Sequence, residues 1–199
     1  LSQGQVLSCA YTADKAKLVV REMTDVLVLE MVEKKVTTDA VVLNICYDKD
    51  SLLGDVQYKG ELQYDRYGKV VPKDSHGTKR IGRHTSSTKL IMDAMMKLYD
   101  EIVNPSLLVR RIYVIAINVI DEDKVVDESF EQLDLFSDID ESIKEKESLE
   151  EELKEEKELQ KTLIEIQRRY GKNAVVKGSD LSEGATKIDR NEQIGGHKK

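Results

Sequence analysis

The chain has 199 residues, of which 35% are charged and 5% aromatic, contains no Trp and carries a net charge of −7. So charged a composition excludes one dense globule of the full length and predicts an ordinary domain plus an extended or solvated helical part. Two cysteines, Cys9 and Cys46, make neither a disulfide scaffold nor a zinc site, no stretch reaches the ~18 apolar residues of a membrane span, and no signal peptide opens the chain, which together predict a cytoplasmic protein with reduced cysteines.

Residues 2–8 read as a short strand with one polar face. Thr12 offers an N-cap, and Ala16, Val19, Val20, Met23, Val26, Leu27 and Met31 recur at helical spacing to about Lys35. Val41, Leu43, Ile45 and Tyr47 alternate through a second strand over 39–47. Gly54, Gly60, Gly68 and Pro72 predict a loop or irregular hairpin over 48–75. A third strand follows within 76–88, basic and rich in Thr and Ser. Residues 66–89 carry a local charge of +6, so the acidic total hides a basic patch. Leu90, Ile91, Met95, Leu98, Tyr99 and Ile102 mark a second amphipathic helix, closed by Asn104-Pro105, and Val109 to Ile120 is the strongest strand in the chain.

Residues 1–120 therefore predict an α+β domain: a four-stranded, mostly antiparallel sheet with two helices on one face. The other face stays open. It needs polar side chains or a ligand, and its third strand, Lys79 to Thr88, is basic and hydroxyl-rich.

An acidic linker spans 121–140, and residues 121–165 hold a net charge of −13. Within it, Gln132-Leu133-Asp134-Leu135-Phe136 places apolar anchors in a segment too polar for a core. Such anchors fit either a pocket on another protein or a short amphipathic turn folded back on the domain. Residues 141–171 read as a long charged helix with apolar positions spaced too irregularly for a coiled coil, docked at its last turns and closed by Gly171. Residues 172–199 read as a loose, basic, Gly-containing tail.

The element order, the basic strand and the pentapeptide together resemble one family. The chain is similar to the C-terminal part of a bacterial Y-family, UmuC-like translesion DNA polymerase, with residues 1–120 resembling its little finger. The stretch from His76 to Ile91 is the closest local match, Ser2-Gln3-Gly4-Gln5 matches the family's first strand, and Ala185-Thr186 with Arg190 to His197 resembles the tail of such polymerases from Gram-positive bacteria. The resemblance implies that Gln3, Gly4, Gln5, Thr78, Lys79, Arg80, Arg83, His84, Thr85 and Ser86 contact primer-template DNA through phosphates, without reading sequence. It also implies that Gln132, Leu133, Asp134, Leu135 and Phe136 dock on the sliding clamp, the β subunit of DNA polymerase III. In that docking the Gln132 amide sets the register, and Leu135 with Phe136 fills an apolar cleft. It implies a role in damage bypass and the SOS response, beside the nucleoid in the cytoplasm.

Nucleotidyl transfer needs two Mg²⁺ ions held by carboxylates on a rigid sheet. Only Asp121-Glu122-Asp123 is superficially suitable, and it lies in the linker. The fragment is thus expected to be non-catalytic and without cofactor, Mg²⁺ belonging to the parent polymerase, and its start at a strand without Met suits an excised piece. His76 and His84, with seven residues between them and no Cys or third His nearby, predict no metal site. A clamp-binding adaptor with no DNA role is the competing reading. An independent enzyme using the open face is a third.

Overall fold

The computed structural model describes residues 1–53, 58–125 and 139–192. β1 (Ser2–Tyr11) leads into α1 (Ala13–Glu33) and β2 (Val36–Tyr47). A small hairpin, β3 (Leu62–Tyr64) and β4 (Val70–Pro72), interrupts the loop that follows. Then come β5 (Ser75–Thr85), α2 (Thr88–Ile102), β6 (Val109–Ile117), β7 (Ile120–Asp121), α3 (Ile139–Tyr170) and α4 (Lys187–Asn191).

The main sheet runs in the order β1-β6-β2-β5, every pair antiparallel, with β7 also on β2. Two βαβ units interleave. β1 and β2 run parallel with β6 between them and α1 as the crossover, while β5 and β6 run parallel around β2 with α2 as theirs. The fold is α+β with two helices on one face, as expected, but the sheet has five strands rather than four. The extra strand is β6 resumed: β2 begins at Val36, earlier than its apolar alternation indicates, and its first residues pair with β7 in the register that β2 keeps with β6. The break between β6 and β7 falls at Asn118, whose φ is +50°.

The core lies between the sheet and the helices. Leu7, Val41, Leu43, Ile45, Ile112, Val114 and Ala116 face Val19, Val20, Met23, Leu27 and Met31 of α1 and Ile91, Met95 and Leu98 of α2. Each Val, Leu, Ile or Met among them, once buried, stabilises the fold by roughly 1.5–3 kcal/mol. Ser87 caps α2 by accepting from Leu90 N–H at 3.2 Å. Thr12 stands at the N-cap of α1 without a side-chain capping bond.

The last third departs from expectation. α3 docks by more than its last turns, from Glu150 to Arg168, and residues 173–191 are not loose but packed on α1 and β1. This clasp is held by polar contacts rather than an apolar stripe. Lys177 Nζ reaches both carboxylate oxygens of Asp25 at 2.7 and 2.8 Å, and Thr186 donates its N–H and hydroxyl to Glu22 at 2.9 and 3.0 Å. Inside it, Lys187 Nζ meets Asp180 at 2.8 Å with side chains only 7% and 1% exposed.

Removing one partner of so buried a pair leaves an uncompensated charge. Lys187→Met should therefore cost about 3 kcal/mol of clasp stability. Amide exchange across 173–191 is expected to rise while the sheet core is unchanged, and Lys187→Met with Asp180→Leu should recover most of the loss. Equal protection in wild type and Lys187→Met would show that the pair does not hold the clasp.

Burial pushes the Glu22 carboxyl above its ordinary value, against the pull of the Thr186 N–H and hydroxyl. The folded protein thus binds this proton more readily than the unfolded chain does. Its stabilising effect is complete below the unfolded carboxylate value of about 4.3 and is lost as pH rises through the raised folded value. Glu22→Gln should abolish that dependence and hold the clasp at least as firmly at pH 7. Exchange of the Thr186 amide against pH in both proteins is the measurement, and identical profiles would exclude Glu22 as the titrating group.

Candidate nucleic-acid interface

Strand alternation sorts the sheet's side chains into two sets. Since Leu7, Ile112, Val114, Leu43 and Ile45 enter the core, their neighbours in sequence face the other way. The strand registers place these neighbours in rows: Ser2, Ile115, Val42 and Thr78; Gly4, Tyr113, Asn44 and His76; Val6, Arg111 and Cys46. Arg80 lies beside Ala40 at the β5 edge. The last row continues to Asp74, whose carboxylate lies against the Cys46 thiol at the edge of the face. The face is apolar along β1 and β6, with cationic or polar groups from Arg111, His76, Thr78 and Arg80.

Gly4 is there for space. A Cβ at this position would lie 2.9 Å from the Tyr113 ring, so glycine lets that ring lie flat over β1. Arg66, on the turn of the β3–β4 hairpin, stacks 4.6 Å from the Tyr67 ring and comes close enough to Tyr113 to feel its hydroxyl. The hairpin thereby adds a cation at the rim of the face. Asn44 Oδ1 and Arg111 Nε are buried without a hydrogen-bond partner among the described residues. Orphaned polar atoms at the middle of a sheet face are a cost that a bound group or water would relieve. Burial pushes the Cys46 thiol up to about 12, with the Asp74 carboxylate adding to the effect, so this cysteine is an inert neighbour and not a nucleophile. Cys9 is exposed, and both cysteines are free.

The ten residues assigned to DNA do not stand together. Gly4, Thr78 and Arg80 belong to the open face. Gln3 and Gln5 belong to the helical side of β1: Gln3 donates to Glu30 at 2.7 Å, and Gln5 donates to Thr186 and accepts from Arg190 at 3.1 Å. Lys79 also turns to the helices and pairs with Glu101. Thr85 is buried, accepting from Ser87 N–H at 3.0 Å. Between Arg80 and Thr85 the β5 ladder bulges, because Thr38 to Ala40 on β2 covers that whole stretch. Gly82, with φ at +93°, makes the bulge possible. The bulge takes Arg83, His84 and Ser86 out of the alternation. Arg83 reaches Glu150 at 3.0 Å, the Ser86 carbonyl accepts from Gln160 at 3.0 Å, and His84 Nδ1 is buried without a partner among the described residues.

The residues that sequence reasoning missed are Arg111, Tyr113, Asn44 and Arg66. The signal for the first two was present, since alternation from Ile112 and Val114 sends Arg111 and Tyr113 to the open face. Arg66 was counted in the basic patch but could not be aimed.

The pentapeptide Gln132 to Phe136 lies outside the described residues. Of the linker carboxylates, Asp121 pairs with Lys124 at 2.7 Å and Glu122 pairs with Lys157. Among the described residues, no group of three His, Cys, Asp or Glu side chains could hold a metal, and no helix is long and apolar enough to cross a membrane. No protein-family model matches this chain, and no curated protein matches its sequence.

Proposed function

We propose that this chain is a non-catalytic DNA-gripping and clamp-tethering module, the C-terminal part of a UmuC-like, Y-family translesion polymerase. The open sheet face would rest on the duplex backbone, and residues 132–136 would dock on the bacterial sliding clamp. One observation carries the DNA part: a sheet face on which Arg80, Arg111, His76 and Thr78 stand together, with Asp74, beside Cys46, as the carboxylate at one end. Cations supply attraction to phosphates, while hydroxyls and amides set position, which gives binding without base readout. Lesion bypass asks for that kind of grip, because the duplex it meets has no fixed sequence. The flat apolar strip along Val6, Tyr113 and Ile115 leaves room for a broad surface to approach. The clamp part rests on the resemblance of Gln132-Leu133-Asp134-Leu135-Phe136 to the clamp-docking peptide.

The chain is expected to bind primer-template duplex with little sequence preference and with affinity that falls steeply as salt rises. Each neutralised phosphate releases about 0.9 counterion. Arg80→Ala with Arg111→Ala should flatten the slope of log affinity against log salt by roughly one unit per lost contact. Fluorescence anisotropy across a salt series measures it. An unchanged slope would remove the open face from the interface, and base-specific binding would count against the family reading itself.

Titration of the sliding clamp tests the second contact. Ordering a short motif on binding keeps such contacts weak, on the order of micromolar. Leu135→Ala with Phe136→Ala removes two pocket-filling side chains and should cost roughly 3 kcal/mol, which abolishes measurable binding. Asp134→Ala should change little. Equal clamp affinity in wild type and the double variant would leave 132–136 as a local hydrophobic turn.

A further inference from the structure

The bulged end of β5 and the first turn of α2 gather hydrogen-bond donors that point toward α3 and away from the open face. Arg83 Nη2 donates to Glu150 at 3.0 Å, and Lys89 Nζ donates to Glu152 at 2.6 Å. The Ser87 hydroxyl and the Lys89 backbone N–H both donate to the Glu156 carboxylate, at 2.5 and 3.0 Å. α2 is a 15-residue helix, so its first N–H groups lack intrahelical partners and its dipole favours an anion at this end. The anions present come from a distant, carboxylate-rich helix. Glu152 and Glu156 share a face of α3, with Glu150 flanking it. From Glu150 to Glu156 the helix rises about 9 Å. One strand of a duplex presents phosphates at a regular spacing within that reach, so the same donors would serve neighbouring phosphates.

This cover is held unevenly. The Arg83–Glu150 and Lys89–Glu152 pairs are about half exposed, and exposed pairs contribute little. Beyond them the attachment is firmer at Gln160, which is buried and donates to the Ser86 carbonyl at 3.0 Å and to Thr88 Oγ1 at 2.9 Å, while Arg168 with Glu33 makes another exposed pair. Uncovering the stretch from 150 to 156 must break the two weak pairs and the Glu156 contact to the buried Ser87, while Gln160 keeps the helix anchored.

We propose that Arg83, Ser87 and Lys89 form a second nucleic-acid phosphate site, and that the Glu150–Glu156 stretch of α3 is its intramolecular competitor, a carboxylate cover that duplex must displace. The inference rests on the DNA-binding reading above and extends it from the open face to the end of β5. A covered site lowers apparent affinity by the fraction of molecules in which it is uncovered.

The test uses the full chain and a primer-template duplex at one fixed salt concentration. Isosteric Glu150→Gln, Glu152→Gln and Glu156→Gln together should tighten binding about tenfold, the gain expected if about one molecule in ten is uncovered. Glu151→Gln, Glu155→Gln and Glu165→Gln, three exposed carboxylates of the same helix, change the net charge equally and should gain less than about threefold. Adding Arg83→Ala and Lys89→Ala to the first set should remove its gain. Equal gains in the two triple variants, or a gain that survives loss of Arg83 and Lys89, would overturn the proposal. If wild type binds duplex with the salt slope set by Arg80 and Arg111 and the inner triple gains nothing, the cover falls and the open-face reading stands. If no variant binds duplex at any salt, both fall.

Discussion

The pairing of β2 with β6 at the centre of the sheet decides what every other surface of this molecule can do. Both strands are long, and both alternate apolar residues on one side. Their inner set, Val41, Leu43 and Ile45 against Ile112 and Val114, packs under α1 and α2. Register then leaves Val42, Asn44, Arg111 and Tyr113 facing away, with no choice in the matter. A slip of one residue would exchange the two sets and put Arg111 in the core. The one-sided burial of the sheet is thus the physical origin of the open face, on which Arg111, His76 and Arg80 stand with Asp74 beside Cys46 at one end.

The last third of the chain obeys a different rule. It adheres through ion pairs and hydrogen bonds rather than through an apolar stripe. Glu22 and Asp25 of α1 are buried by Thr186 and Lys177, and Gln160 of α3 is buried against Ser86 and Thr88. Attachments of this kind are specific in geometry and modest in net strength, since each group gives up water to make them. A C-terminal third held by matched polar groups, on a core held by apolar burial, follows from that contrast.

The sequence made the core plain and the periphery obscure. Helical spacing from Ala16 to Met31 gave α1, alternation from Val41 to Tyr47 gave β2, and the run from Val109 gave β6, because burying apolar side chains leaves a periodic trace. β7 was hidden, since two residues in a sheet leave no period. The clasp was hidden for a deeper reason. Lys177 and Asp25, or Arg190 and Gln5, are partners across more than a hundred residues, and a polar residue that will be buried looks the same in sequence as one that will be solvated. The basic stretch from Lys79 to Ser86 was legible as charge but not as geometry. The bulge at Gly82 separates Arg80 from Arg83, and only strand pairing reveals it.

The break at Asn118 has a mechanical side. β7 contributes two residue pairs to β2, while β6 holds a long ladder to β2 on one side and β1 on the other. After β7 the described stretch runs on to Val125, with the Glu122 N–H donating to the Lys35 carbonyl at 2.9 Å. Tension applied at Val125 itself would load the short ladder of β7 before that of β6. The peeling then meets Asn118, where the hydrogen-bonded ladder is already interrupted and the backbone is turned to a left-handed conformation. There it must open the doubly paired β6 to go further. A domain pulled at Val125 can in this way lengthen by a few residues and keep its core shut, as a strap with a sacrificial stitch gives before the cloth tears.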